Sequence, residues 1–165
     1  MAPTLEHVFT MRGYMAKTTL DLGAIKAGPH RTVTGLTHGF IKGVPGSRGD
    51  GLDVALIPGG SDWILFDPTT NICHLDVRTQ ATNDAGDNVF VYYHGFLESD
   101  QTAADFMGWS SNAKSTKPGQ HNWFSAPRIE TSSEFSLSLS LSLSLSLSLS
   151  LSLSFFRATR ALLPA

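Results

Sequence analysis

The residues best equipped for chemistry sit close together in the chain: Asp62 and Trp63, then His74, Asp76 and Arg78, then Tyr93. A carboxyl can move a proton, an arginine can stabilise a developing anion, and a tyrosine hydroxyl can hold a polar group in place. His74, Asp76, Arg78 and Gln80 share one parity and so one face of a strand, while Cys73, Leu75, Val77 and Thr79 share the other. Facing water, Asp76 and Arg78 would form a surface ion pair of small value. Facing a lumen, they would orient a bound small molecule. Asp62 and Trp63 follow Gly59-Gly60. They read either as a turn aspartate capping backbone amides beside a tryptophan that plugs a barrel end, or as a general acid or base at the mouth.

Other chemistries find little support. The six histidines form no pair at i, i+2 or i, i+4 with a carboxylate partner, so no metal site and no cofactor is expected. Cys73 is the only cysteine, which leaves no intrachain disulfide, and it has no evident activating partner. There is no nucleophile elbow, phosphate loop or dinucleotide fingerprint. With a net charge of −2, 16% charged residues and no basic run, a nucleic-acid partner is not expected. The first residues lack the apolar core of a signal peptide, so a cytoplasmic protein is the default expectation.

The elements that must position these residues are strands. At 165 residues the chain has the length of one domain. Residues 5–20 alternate loosely, with Leu20-Asp21-Leu22-Gly23 as a turn, and 31–42 is rich in β-branched residues. Residues 43–51 are a loop by composition. It contains Arg48-Gly49-Asp50, a tripeptide some integrins bind, for which the plain-loop reading is preferred. Asp53 to Ile57 reads as a short strand that Pro58-Gly59-Gly60 reverses sharply into a second beginning at Trp63. Ile72 to Thr82 and Asn88 to Leu97 form the clearest hairpin. A two-residue turn at Ala85-Gly86 sets Arg78 opposite Tyr93 and Gln80 opposite Val91; a one-residue slip sets Arg78 opposite His94. Ala103 to Trp109 suits a short helix or distorted turn, and His121 to Thr131 an edge strand interrupted by Pro127.

Ser136 to Ser154 is different in kind, a strict Ser-Leu alternation. As a strand it would put every Leu on one face, and half its residues are Ser, which makes it a poor membrane span. A CT dinucleotide repeat translates as alternating Ser and Leu in any frame. The reading preferred is therefore a microsatellite translated as coding sequence, with residues 1–135 as the domain and 136–165 as a low-complexity tail.

The central stretch resembles a family of small β-barrels known as domain of unknown function 3237. The resemblance rests on Gly59-Gly60-Ser61-Asp62-Trp63, on Leu75-Asp76-Val77-Arg78, and on the return strand ending at Gly95, and it spans roughly residues 5–135. Two departures stand out. Ala85-Gly86 replaces the family's Asp-Gly corner, and the closing Trp-Leu-Asn-like segment is missing where the Ser-Leu repeat begins. The resemblance implies an all-β fold, a small antiparallel barrel of lipocalin-like or allene-oxide-cyclase-like build, incomplete at the C-terminus. It implies a lumen that binds a small apolar organic molecule, with Asp62, Asp76 and Arg78 among its polar groups; Trp63, His74 and Tyr93, their neighbours along the chain or across the hairpin, complete the expected ligand-binding residues. The alternatives are a cofactor-free isomerase or cyclase and a non-functional truncated product. Open edges would also permit a homodimer.

Overall fold

A computed structural model of the chain describes residues 6–132 apart from Ala27 and Pro118. The Ser-Leu repeat lies outside the described residues. Six strands form a single antiparallel sheet in the order of the sequence: β1 (Phe9–Ala24), β2 (His30–Gly43), β3 (Asp53–Asp67), β4 (Ile72–Thr82), β5 (Asn88–Glu98) and β6 (Trp123–Thr131). One short helix, α1 (Gln101–Met107), lies between β5 and β6. β1 and β6 are the outer strands, and no pairing among the described residues joins them.

The sheet nevertheless curls. Val8, Phe9 and Met11 at the β1 edge share one buried cluster with Val89, Val91 and Tyr93 of β5, and Ile129 of β6 packs on it. The cluster links them through Leu36, Ile41, Val54, Leu56 and Val77 of the strands between, and these residues are buried with no second sheet over them among the described residues, which a flat sheet could not achieve. The curvature has an identifiable origin in breaks of register at one height of three neighbouring strands. They fall between Met15 and Thr19 on β1, between Leu36 and Gly39 on β2, and between Ile57 and Ser61 on β3. Each adds unpaired residues that bend its strand. Gly39 (φ 154°) belongs to this bend, and a β-carbon there would stand 2.0 Å from the Arg12 carbonyl oxygen.

Several expectations are corrected by this geometry. Pro58-Gly59-Gly60 is not a reversal: β3 runs through it as one 15-residue bent strand. The reason is that Gly60 packs directly on β4, where a β-carbon would meet Thr79 Oγ1 at 2.5 Å, so the backbone passes the bulge without leaving the sheet. Leu20 to Gly23 likewise continues β1, and the turn falls at residues 25–29, closed by a bond from Ile25 N to Pro29 O. The β4–β5 hairpin turns over Asp84-Ala85-Gly86, not over Ala85-Gly86. Asn83 N donates to Asp87 O, Gly86 N donates to Asn83 O, and Gly86 takes φ 90°. Glycine supplies that left-handed corner without a Cβ penalty. Arg78 therefore stands opposite Tyr92, and neither expected register holds.

Both ends of the curl are filled. Leu52, from the loop after β2, joins the larger cluster. The Arg48-Gly49-Asp50 tripeptide in that loop is structural. Arg48 Nε donates to Glu6 Oε2 (3.0 Å), Asp50 Oδ2 accepts from Gly46 N (2.8 Å), and Gly49 packs on Val8 and Phe9. At the other end α1 sets Ala103, Phe106 and Met107 against Cys73, Leu75, Leu97 and Trp123. Its start is fixed by Asp100, whose side chain accepts from Ala103 N at 2.7 Å. Asp100→Ala is expected to cost about 1 kcal/mol in urea unfolding, with an unchanged dependence on denaturant.

Candidate functional site

Strand alternation decides which candidates meet. Along β4, Cys73, Leu75, Val77, Thr79 and Ala81 are buried, while His74 and Arg78 are exposed and Asp76 and Gln80 half-buried. The face carrying His74, Asp76, Arg78 and Gln80 is thus the outer face of the curl. The lumen reading of Asp76 and Arg78 is corrected on the same ground, since the apolar parity of β4 takes the interior. Asp76 Oδ1 lies 3.2 Å from Arg78 Nη1 and 3.6 Å from His94 Nε2, and the Arg78 guanidinium covers the Tyr92 ring at 4.7 Å. His74 meets the edge of Phe96. With half of the Arg78 side chain in water, the Asp76 pair contributes little to stability. Trp63 also faces outward, 43% exposed, and its Nε1 donates to Ser61 Oγ at 2.9 Å; it does not plug the barrel.

Asp62 and Tyr93 go inward. Asp62 is 7% exposed and Tyr93 3%. The register sets Thr34 opposite Asp62, Asp62 opposite Val77, and Val77 opposite Tyr93, so one inner row crosses four strands. Thr79 follows Val77 on the same face, fully buried, and its Oγ1 has no hydrogen-bond partner among the described residues. This polar row lies where the two apolar clusters meet, with Val77 and Tyr93 in one and Cys73 and Leu75 in the other.

The electrostatics of the row follow from burial. Asp62 Oδ1 accepts one hydrogen bond, from Asp76 N at 3.2 Å. That bond favours the charged form, but loss of water outweighs it, and the nearby Asp76 charge adds to the loss. The carboxyl is pushed up to about 7. Burial and then the Asp62 charge push the Cys73 thiol up to about 11 and raise the Tyr93 phenol as well. Near neutral pH the row therefore holds a carboxyl able to give or take a proton beside a protonated thiol and phenol. Among the described residues no group of three His, Cys, Asp or Glu is placed to hold a metal ion. No described helix is long and apolar enough to cross a membrane.

Of the six sequence candidates the structure brings Asp62 and Tyr93 into one interior row and leaves Trp63, His74, Asp76 and Arg78 outside. Thr34, unremarked in the sequence, joins the row. Its signal was parity with Thr32 and Leu36 in a strand whose other face carries Arg31 and Val33.

A curled meander over a mainly apolar interior with one buried carboxyl defines a small barrel-like protein. Within that class the chain belongs to the family described as "Protein of unknown function (DUF3237)", whose model matches residues 3–140. It is 30% identical over 125 residues to "PR-toxin biosynthesis cluster protein 7" of Penicillium roqueforti (strain FM164), covering 75% of this chain and 66% of that protein. The chain thus spans about two thirds of the length of this relative. Among solved structures it is similar to a conserved protein of unknown function from Rhodopseudomonas palustris (TM-score 0.62, 21% identity, 81% of this chain and 80% of that one). It is also similar to a protein of unknown function from Clostridium acetobutylicum ATCC 824 (TM-score 0.58, 19% identity, 78% of each chain). A beta-barrel like protein from Acinetobacter baumannii AYE (TM-score 0.51, 17% identity, 81% of each chain) is a third. These likenesses concern the fold.

Proposed function

We propose that the interior of the curled sheet binds a small, largely apolar organic molecule, oriented through the Asp62 carboxyl. The observation that carries this reading is a buried carboxyl that keeps one hydrogen bond and sits between two apolar clusters. Such a group costs stability, and groups of this kind concentrate where a ligand or reaction needs them. Apolar walls with a few inward polar groups also match the general make-up of ligand sites. A relative named for a toxin biosynthesis cluster fits a role on a biosynthesised compound.

The catalytic version of this reading is a cofactor-free isomerase or cyclase. Apolar walls would fold the substrate, and Asp62, titrating near neutrality, would move the proton. Arg78, on the outer face, has no part in this. Developing negative charge would be met by the Tyr93 hydroxyl and the Thr34 and Thr79 hydroxyls.

The test uses N-phenyl-1-naphthylamine, an uncharged apolar fluorophore. One molecule is expected to bind per chain, with binding lost in Val77→Trp, which fills the interior, and kept in Phe96→Ser on the outer face. Absence of binding by a protein with a cooperative melt, or binding indifferent to Val77→Trp, would sink the proposal. A chain without any cooperative melt would favour the truncated, non-functional product instead. For any compound that displaces the fluorophore, conversion by the wild type that is lost in Asp62→Asn with binding retained marks an enzyme. Binding without conversion marks a carrier.

A further inference from the structure

The outer face carries a band of side chains that the interior site does not use. Leu20 stands opposite Val33 and Val33 opposite Trp63, which crosses β1, β2 and β3. Two residues on, Leu65 stands opposite His74, His74 opposite Phe96, and Phe96 opposite Phe124, which crosses β3 to β6. Trp63 and Leu65 are same-face neighbours on β3 and join the two rows. The band therefore runs unbroken from one edge of the sheet to the other. Its large members lie in water: Leu20 is 60% exposed, Trp63 43%, Phe96 55% and Phe124 67%.

We infer that this band is the interface of a homodimer, in which it packs on the same band of a second copy. The area supports that occupant. At roughly 200 Å² per aromatic side chain, Trp63, Phe96 and Phe124 expose roughly 330 Å², and Leu20, Val33 and Leu65 extend the patch. That reaches the size of the largest apolar patch on a typical monomer, a kind of patch that is often functional. Two copies would bury roughly 660 Å² of aromatic surface, close to the apolar share of the smallest standard interface, roughly 700 Å². Trp and Arg are also among the residue types that dominate interface energies, and Phe is enriched in interfaces.

Charge points the same way. On the same face Asp76 is next to the band, and Arg78, Arg128 and then Glu130 stand further along β4 and β6. Both signs on this side of the band let two copies related by a twofold axis set opposite charges against each other. A lipid surface fits less well, because the carboxylate of Asp76 stands beside the band. This interface is distinct from edge-to-edge pairing, which would use the backbone of β1 or β6 and not these side chains.

The full chain should be examined by sedimentation velocity over a concentration series. The wild type is expected to dimerise, and Phe96→Glu with Phe124→Glu to weaken the dimer at least hundredfold. Ile57→Glu, which charges an exposed apolar residue of β3 on the other side of the bulge from Trp63, should leave the dimer intact. If the doubly charged variant has no cooperative melt, Phe96→Ser with Phe124→Ser takes its place. A wild type monomeric at every concentration overturns the inference, whether or not it sediments with phosphatidylcholine vesicles. So does a dimer indifferent to both pairs of substitutions, which would indicate edge pairing, and so does one broken equally by Ile57→Glu.

Discussion

Replacing Asp62 with asparagine is expected to stabilise the protein above pH 7 and to change it little near pH 4. The folded carboxyl titrates near 7 and the unfolded one near the ordinary value of 3.8. Between these values the unfolded chain has released a proton that the folded chain still holds. Stability therefore falls as pH rises through that window and levels off above it. At about 1.4 kcal/mol per pH unit the loss reaches about 4 kcal/mol. Asparagine keeps the acceptor for Asp76 N and does not ionise, so it removes the loss. In a domain of this size the change corresponds to roughly 12 °C in melting temperature at pH 8.

Asp21 and Asp67 act in the opposite sense at the acid end. Asp21 is held below the usual carboxylate range by the Gly23 N–H and by His30, and Asp67 by the Thr69 N–H and the Thr70 hydroxyl. Their contribution is present above the unfolded value and lost as pH falls through the folded one. The wild type should thus be most stable near pH 4, where the acid-side loss has ended and the Asp62 loss has not begun, whereas Asp62→Asn should hold a plateau through neutrality. Thermal melts of both proteins from pH 3 to 9 check this. Parallel profiles for the two would mean that Asp62 is hydrated and ionised in the folded protein.

Gly60→Ala is the second large effect expected. The added β-carbon would lie 2.5 Å from Thr79 Oγ1, 2.7 Å from Thr79 Cβ and 2.9 Å from the Arg78 carbonyl oxygen. A flexible side chain could swing away, but two of these atoms belong to a buried β-branched residue and one to the backbone of the neighbouring strand. The bulge must shift or β3 must separate from β4. Overpacking of a close strand-to-strand contact costs about 1–3 kcal/mol, and the backbone contact puts this site at the upper end. Thr79→Gly in the same chain removes two of the three clashes. The double variant should therefore lose less than the sum of the single losses, by about 1 kcal/mol or more. Additive losses in denaturant melts would show that the two strands do not meet as described.

The fold class was readable because it depends on alternation and turn composition, which are local. Ile72 to Thr82 and Asn88 to Leu97 appear as strands at those bounds or within a residue of them. What was misread depends on how a glycine is used. Pro58-Gly59-Gly60 has the composition of a turn, yet serves as a bulge because Gly60 fits against Thr79, a residue far off in the chain. The hairpin register turned on whether Asp84 belonged to the loop, and that one residue moved Arg78 from Tyr93 to Tyr92.

The site was half legible for a related reason. Past the bulge, β3 turns Trp63 and Leu65 outward and Asp62 inward, against the usual preference of each. A pattern of apolar and polar residues alone assigns these faces the wrong way round. Only the partners of Asp62, buried Thr34 and Val77, reveal its side.

The order of the strands has a consequence for how the molecule comes into being. Among the described residues each strand after β1 pairs with the one made just before it, and none pairs with a strand from a distant part of the chain. Assembly can then follow synthesis. β1 and β2 can zip as soon as both have left the ribosome, and each later strand adds to a finished edge. By the time residue 132 emerges the polar row is complete, because Thr34, Asp62, Val77 and Tyr93 all precede it. Changes further along the message therefore reach a sheet that already exists.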